Sequence, residues 1–194
     1  MINRVHVPQP RIYACAEWGA RPPAGPISPS TPTGYVVHHT AGPNTPLISD
    51  PKKALAEAFE LARSIQYLHQ QVEGWLDTGN NFLVTRNGII LEGRHGSIAA
   101  IAAGRCVDSA HCPGMNQSPG TEHEGLYDTQ VMPGAQWAAA VRLCAWVLYV
   151  LKLDTTTIKG HRDYYPTDCP GGWFYSQLPR FRHEVHEMLE GGKP

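Results

Sequence analysis

Over 194 residues, 16 Lys and Arg stand against 17 Asp and Glu, leaving a net charge of −1 with histidine neutral. That balance, with no Lys/Arg run and no basic helix face, argues against a polyanion partner, so neither nucleic acid nor membrane is expected as a partner. The length suits one domain that buries roughly 70% of its unfolded surface without an accessory stabiliser, and 19 Gly and 17 Pro forecast many loops between apolar segments.

The first 33 residues carry Pro8, Pro10, Pro22, Pro23, Pro26, Pro29 and Pro32, too many for a central helix or strand. They predict an extended arm lying on the domain and pinned by Trp18. Tyr35-Val-Val-His-His, between Gly34 and the Gly42-Pro43 turn, reads as a short buried strand, because β-branched and aromatic residues dominate it. Residues 51–72 predict a helix with Asp50 as N-cap and Pro51 in the first turn. Leu55, Phe59, Ala62, Ile65 and then Leu68 or His69 form its inward stripe. A hairpin follows, residues 81–85 and 89–92 around Arg86-Asn87-Gly88, since Asn-Gly between apolar runs favours a tight turn. Residues 93–119 read as loop with one helical turn near 99–103. A third strand is predicted at 120–125, where the period of two puts Glu122 and Glu124 on one face. Two such carboxylates mean solvent or a polar cleft. Residues 133–153 form the strongest helix, with an apolar stripe through Trp137, Val141, Cys144 and Leu148. A strand remnant at 155–158 and an amphipathic helix at 178–189 with Phe181, Val185 and Leu189 inward complete the chain. Strands interspersed with flanking helices define an α/β class: a single domain, a central mixed β-sheet flanked by helices, in which 34–190 form the folded unit and 191–194 a tail or linker stub.

Residues 1–8 hold no long apolar run, so synthesis in the cytoplasm without a signal sequence is expected. The longest apolar stretch, residues 141–153, carries Arg142 and Lys152 and reads as too short to span a bilayer. Five cysteines, an odd number, suit a reducing compartment or a metal ligand. Cys106 and Cys112 are near enough in sequence to bridge, and sequence alone leaves that open.

The chemistry concentrates in Gly160-His-Arg-Asp-Tyr-Tyr-Pro-Thr-Asp-Cys. His161 and Cys169 are metal-ligand types, with Pro166 bending the backbone between them. A third ligand is available from His38 or His39, of which only one can face a given site, because neighbouring strand side chains point opposite ways.

Six blocks in order carry a resemblance: Trp18-Gly-Ala-Arg; Val36-Val-His-His-Thr-Ala-Gly; Gly74-Trp-Leu-Asp-Thr-Gly-Asn-Asn-Phe-Leu-Val; Asn87-Gly-Ile-Ile-Leu-Glu-Gly-Arg; Ser109-Ala-His with Asn116; and Gly160-His-Arg-Asp followed by Asp168-Cys-Pro-Gly. Together they resemble the type 2 N-acetylmuramoyl-L-alanine amidases, which include peptidoglycan recognition proteins and amidase-type phage lysozymes. The resemblance implies one zinc ion in a surface groove, held by His38, His161 and Cys169, with peptidoglycan as partner to a monomeric enzyme. Two imidazoles and a thiolate suit tetrahedral zinc and leave a fourth position for water. The implied reaction is hydrolysis of the amide between the lactyl group of N-acetylmuramic acid and L-alanine of the stem peptide.

The chain departs from this pattern at Asn80, where many members carry a Tyr near the metal. An amide exchanges no proton at neutral pH. Other branches use a Glu in a Gly-Ile-Glu-Leu-Glu-Gly strand, which Gly120-Thr-Glu-His-Glu-Gly resembles, so Glu122 is expected to be the general base, with Glu124 as the fallback. Thr167 corresponds to a position near the developing oxyanion, although its hydroxyl equally suits a cap on the local turn. His111, Asn116, Asn80 and Trp75 are expected substrate contacts, and Trp75 and Trp173 alternatively pack inside. A non-catalytic peptidoglycan-binding module and an intracellular muropeptide-recycling amidase are the alternatives. The Pro-rich arm and linker-like tail favour a phage endolysin that reaches the wall after holin-type release.

Overall fold

The structure, a computed structural model, describes residues 4–191, so the last three residues of the expected tail lie outside it. In chain order the elements are β1 (Pro29–Ser30), β2 (Tyr35–His39), α1 (Pro51–Tyr67), β3 (Phe82–Val84), β4 (Ile90–Glu92), α2 (Ser97–Ala102), β5 (Cys106–Val107), β6 (Gly120–His123), α3 (Gly134–Leu151), β7 (Ile158–Gly160), α4 (Gly172–Ser176) and α5 (Leu178–Leu189). A five-stranded mixed sheet runs β4-β3-β6-β2-β7, and β1 pairs with β5 in a small second sheet. The β3–β4 hairpin is antiparallel, whereas β3–β6, β6–β2 and β2–β7 are parallel. All five residues of β2 are buried, as expected for a parallel strand covered on both faces.

One sheet face presents Tyr35, Val37, Phe82 and Val84 to the main core, where Trp146, Leu148, Phe174, Phe181 and Val185 of α3, α4 and α5 meet them. Helix α3 has the length and hydropathy of a membrane span, more than its flanking charges suggested, because Arg142 alone interrupts it. Its apolar residues form the core of the fold. Trp173 packs here too, edge-on to Trp137 at 6.1 Å.

The opposite face positions the site. Register places Leu91, Leu83, Glu122 and His38 level across β4, β3, β6 and β2. Leu91 and Leu83 lie under α1 with Ala58, Ala62, Cys15 and Trp18. Glu122 and His38 lie beyond that cluster, where a polar trough begins. Helix α1 starts as expected: the Asp50 carboxylate accepts from Lys52 N and Lys53 N at 2.8 and 3.0 Å. Its inward face is rotated from the expected one, however. Ala54, Ala58, Ala62 and Gln66 are buried, while Phe59 and Ile65 pack at the flank. Alanines four apart let the helix backbone approach the sheet, and Gln66 is accommodated because its amide donates to Arg21 O and Asp77 Oδ1. The expected last turn, Leu68–Val72, is π-helical.

The Pro-rich segment reaches inside. Tyr13 bridges Leu91, and Trp18, 1% exposed, donates its indole N–H to Glu92 O at 2.9 Å. Cys106 and Cys112 are both buried free thiols.

Candidate metal centre and its groove

β2 and β7 are hydrogen-bonded neighbours with Val37 opposite Gly160, so His38 and His161 emerge level at their ends. Cβ at position 160 would lie 2.9 Å from the Tyr175 ring, which explains glycine there. The loop after His161 then returns Cys169 to the same point: Arg162 N and Nε donate to Cys169 O at 3.1 and 3.4 Å, and Asp163 accepts from Gly160 N at 2.8 Å. One ligand atom from each of His38, His161 and Cys169 lies within 4.8 Å of the others.

A hydrogen-bond relay sets the His38 tautomer. His111 Nε2 lies 2.9 Å from Ser118 O, an acceptor only, so Nε2 carries the proton. His111 Nδ1 is then the acceptor for His38 Nε2–H at 2.9 Å. The lone pair of His38 Nδ1 is left facing Cys169 Sγ, 3.6 Å away. His161 Nε2 is buried with no hydrogen-bond partner among the described residues. Burial, reinforced by the neighbouring His111 and His161, pushes His38 well below the usual imidazole range, and burial also lowers His161. Burial pushes the Cys169 thiol up to about 12, with the His39 N–H pulling in the opposite direction. Two neutral imidazoles with available lone pairs and one thiol that a dication can deprotonate fit a mononuclear zinc site.

Glu122 sits beside His38 in the adjacent strand. Burial pushes its carboxyl up to about 7, partly offset by a hydrogen bond from the Asn80 side chain. Its Oε2 and the Asn80 Oδ1 are both buried without partners among the described residues. Asn80 thus stands next to the carboxylate. Glu124 does not share the trough, because β6 ends at His123 and its oxygens accept from Arg86 N at 2.8 Å and Thr45 Oγ1 at 3.3 Å. The Thr167 hydroxyl accepts from Cys169 N at 3.2 Å, so it does cap the turn and still retains its own proton to donate.

The expected substrate contacts divide. His111 is buried and serves His38 as described. Asn116 closes the 109–116 loop, its Oδ1 accepting from Cys112 N at 2.8 Å and its carbonyl from Ser109 N at 2.9 Å. Trp75 is half-buried and stacks on His69, centroids 4.7 Å apart. His111→Phe keeps ring volume but strands the His38 Nε2–H. We expect a roughly 10–100-fold loss of zinc affinity, measured by competition with a chromogenic chelator; unchanged affinity would show that the relay does not orient His38. Sequence spacing gave no signal for the relay, nor for Tyr165, whose ring stacks on His161 at 5.9 Å and 24°.

Fold and site together define a mixed-sheet α/β domain carrying a His-His-Cys centre suited to one zinc ion. The family model for N-acetylmuramoyl-L-alanine amidase matches residues 28–172, and the chain belongs to that family. It is 29% identical over 178 residues to peptidoglycan-recognition protein LB of Drosophila melanogaster, covering 91% of this chain and 71% of that protein. It is 33% identical over 181 residues to the human N-acetylmuramoyl-L-alanine amidase, covering 90% of this chain but 29% of that protein. Among solved structures, a point mutant of Drosophila PGRP-LB in complex with tracheal cytotoxin superposes with a TM-score of 0.72 at 26% identity, over 89% of this chain and 95% of that one.

Proposed function

We propose that this chain is a zinc-dependent hydrolase that cleaves the amide between the lactyl group of N-acetylmuramic acid and L-alanine of peptidoglycan. The observation that carries this reading is the convergence of three neutral metal donors with a buried carboxyl, Glu122, whose Oε2 has no partner among the described residues. A zinc ion held by His38, His161 and Cys169 would polarise the scissile carbonyl and acidify an attacking water. Glu122 takes the proton from that water and delivers it to the departing L-alanine nitrogen as the C–N bond breaks. The Asn80 amide holds the carboxylate in position. The Thr167 O–H, two residues before Cys169, keeps a proton to donate to the charge that develops on the carbonyl oxygen. His111 keeps His38 in the tautomer whose Nδ1 is open.

Family membership and the complex of a relative with tracheal cytotoxin support a peptidoglycan fragment as the substrate class. The test is mass spectrometry of a defined muropeptide after incubation with zinc-loaded protein. Equimolar free stem peptide with a new L-alanine amino terminus is expected, and its formation should stop with a chelator. Binding without any product would instead establish a recognition module. Turbidity of purified sacculi extends the test: clearing supports a wall-lysing role of the endolysin kind, whereas cleavage confined to small fragments supports recycling.

A further inference from the structure

The loop between the two later metal donors exposes two aromatic rings that the reaction above does not use. Tyr164 is 41% and Tyr165 49% exposed, an unusual outlay of aromatic surface on a loop otherwise clamped in place. Their backbone N–H groups both donate to His161 O, at 3.0 and 3.1 Å, and Pro166 follows, so the backbone that carries the rings is fixed. Tyr165 lies nearly parallel to His161. The nearby cation is committed elsewhere: Arg162 serves the Cys169 and Asp168 carbonyls and stacks on Tyr175.

Toward the His161–Cys169 loop the surface is phenol rings, which suit the C–H face of a sugar.

We propose that Tyr165, flanked by Tyr164, is a stacking platform for the N-acetylmuramic acid ring, so that the glycan leaves the centre over this loop. This rests on the hydrolase reading above and adds the orientation of its substrate.

The test compares kcat/KM for an N-acetylmuramoyl peptide with that for the same peptide acylated by a bare 2-methoxypropanoyl group, which keeps the scissile amide and lacks the sugar. Tyr165→Ala is expected to reduce the preference for the sugar-bearing substrate about tenfold, through KM, and Tyr165→Phe to keep it. An equal loss on both substrates, or zinc content below that of the native chain, would show that the ring acts through His161 and overturn the platform. Loss in the Phe variant equal to that in the Ala variant would assign the role to the hydroxyl and overturn stacking. Should the native chain cleave neither substrate, the hydrolase reading falls, and calorimetric titration of the same two compounds decides the platform: Tyr165→Ala must weaken binding of the sugar-bearing one selectively, and equal affinities overturn it.

Discussion

Glu122→Gln is expected to retain one equivalent of zinc and to lose roughly 10²–10⁴-fold in kcat. The substitution is isosteric, and the glutamine carbonyl can still accept from Asn80, so the trough keeps its shape while losing its proton acceptor. Retained turnover would remove Glu122 from the mechanism, and since Glu124 is bound to Arg86 and Thr45, no second carboxylate replaces it in the same row. The variant has a second, independent signature in the zinc-free protein. Burial raises the Glu122 carboxyl from 4.5 to about 7, so folding favours its protonated form. Its contribution to stability is complete below pH 4.5 and is lost as pH rises through 7, where the native state must carry a buried charge that only the Asn80 amide supports. Glutamine carries none. Relative to the native chain, Glu122→Gln should therefore gain on the order of 3 kcal/mol between pH 5 and pH 8, read from denaturant midpoints in chelator. The same stability difference at both pH values would mean that the carboxylate is solvated.

What the chain reveals about itself follows the range of the interactions involved. β2, the hairpin and α5 are legible because their signals are local: β-branched runs, an Asn-Gly turn and an i, i+3/i+4 apolar stripe. The face of α1 is not, because large residues attract the eye to Leu55 and Phe59, whereas contact distance selected Ala54, Ala58 and Ala62. Glu122 and Glu124 are equivalent by alternation alone. They separate because β6 ends at His123 and Gly125, with φ of +122°, turns the chain away. Of the three candidate metal donors, His161 and Cys169 share one loop, but His38 is 131 positions from Cys169, and only parallel pairing of β2 with β7 unites them. No spacing rule encodes that pairing, so motif resemblance supplied it. His111 shows the limit of such resemblance: the block containing it is recognisable, yet the closure of its loop by Asn116 turns the ring inward to His38 rather than out to the groove.

Cys169→Ser is expected to abolish zinc retention and, with it, turnover. The loss of affinity should exceed the roughly 100-fold that follows from disturbing a hydrogen-bond partner of a ligand, because a serine hydroxyl does not ionise near neutrality and offers a harder donor than sulfur. The thiol makes this measurable by proton count. Burial holds Cys169 protonated, with its pKa pushed up to about 12, while His38 and His161 are held neutral. Zinc binding to the Glu122→Gln chain at pH 6, where neither the raised Glu122 carboxyl nor a metal-bound water of pKa about 7 contributes, should then release about one proton, from Cys169, and affinity should rise about tenfold per pH unit. Calorimetry in buffers of different ionisation enthalpy reads this directly. Release of no proton would place the thiolate outside the metal's coordination, and release of two or more would mean that an imidazole enters charged. The serine variant must also be shown to fold, and the sheet separates these questions: the core of α3 and α5 lies on the face opposite the metal donors. In chelator, native and variant should therefore unfold at similar temperatures. With zinc at 1,000 times its dissociation constant, the native chain should gain about 4 kcal/mol and the variant almost nothing, so that the gap between the two melting curves opens only with zinc.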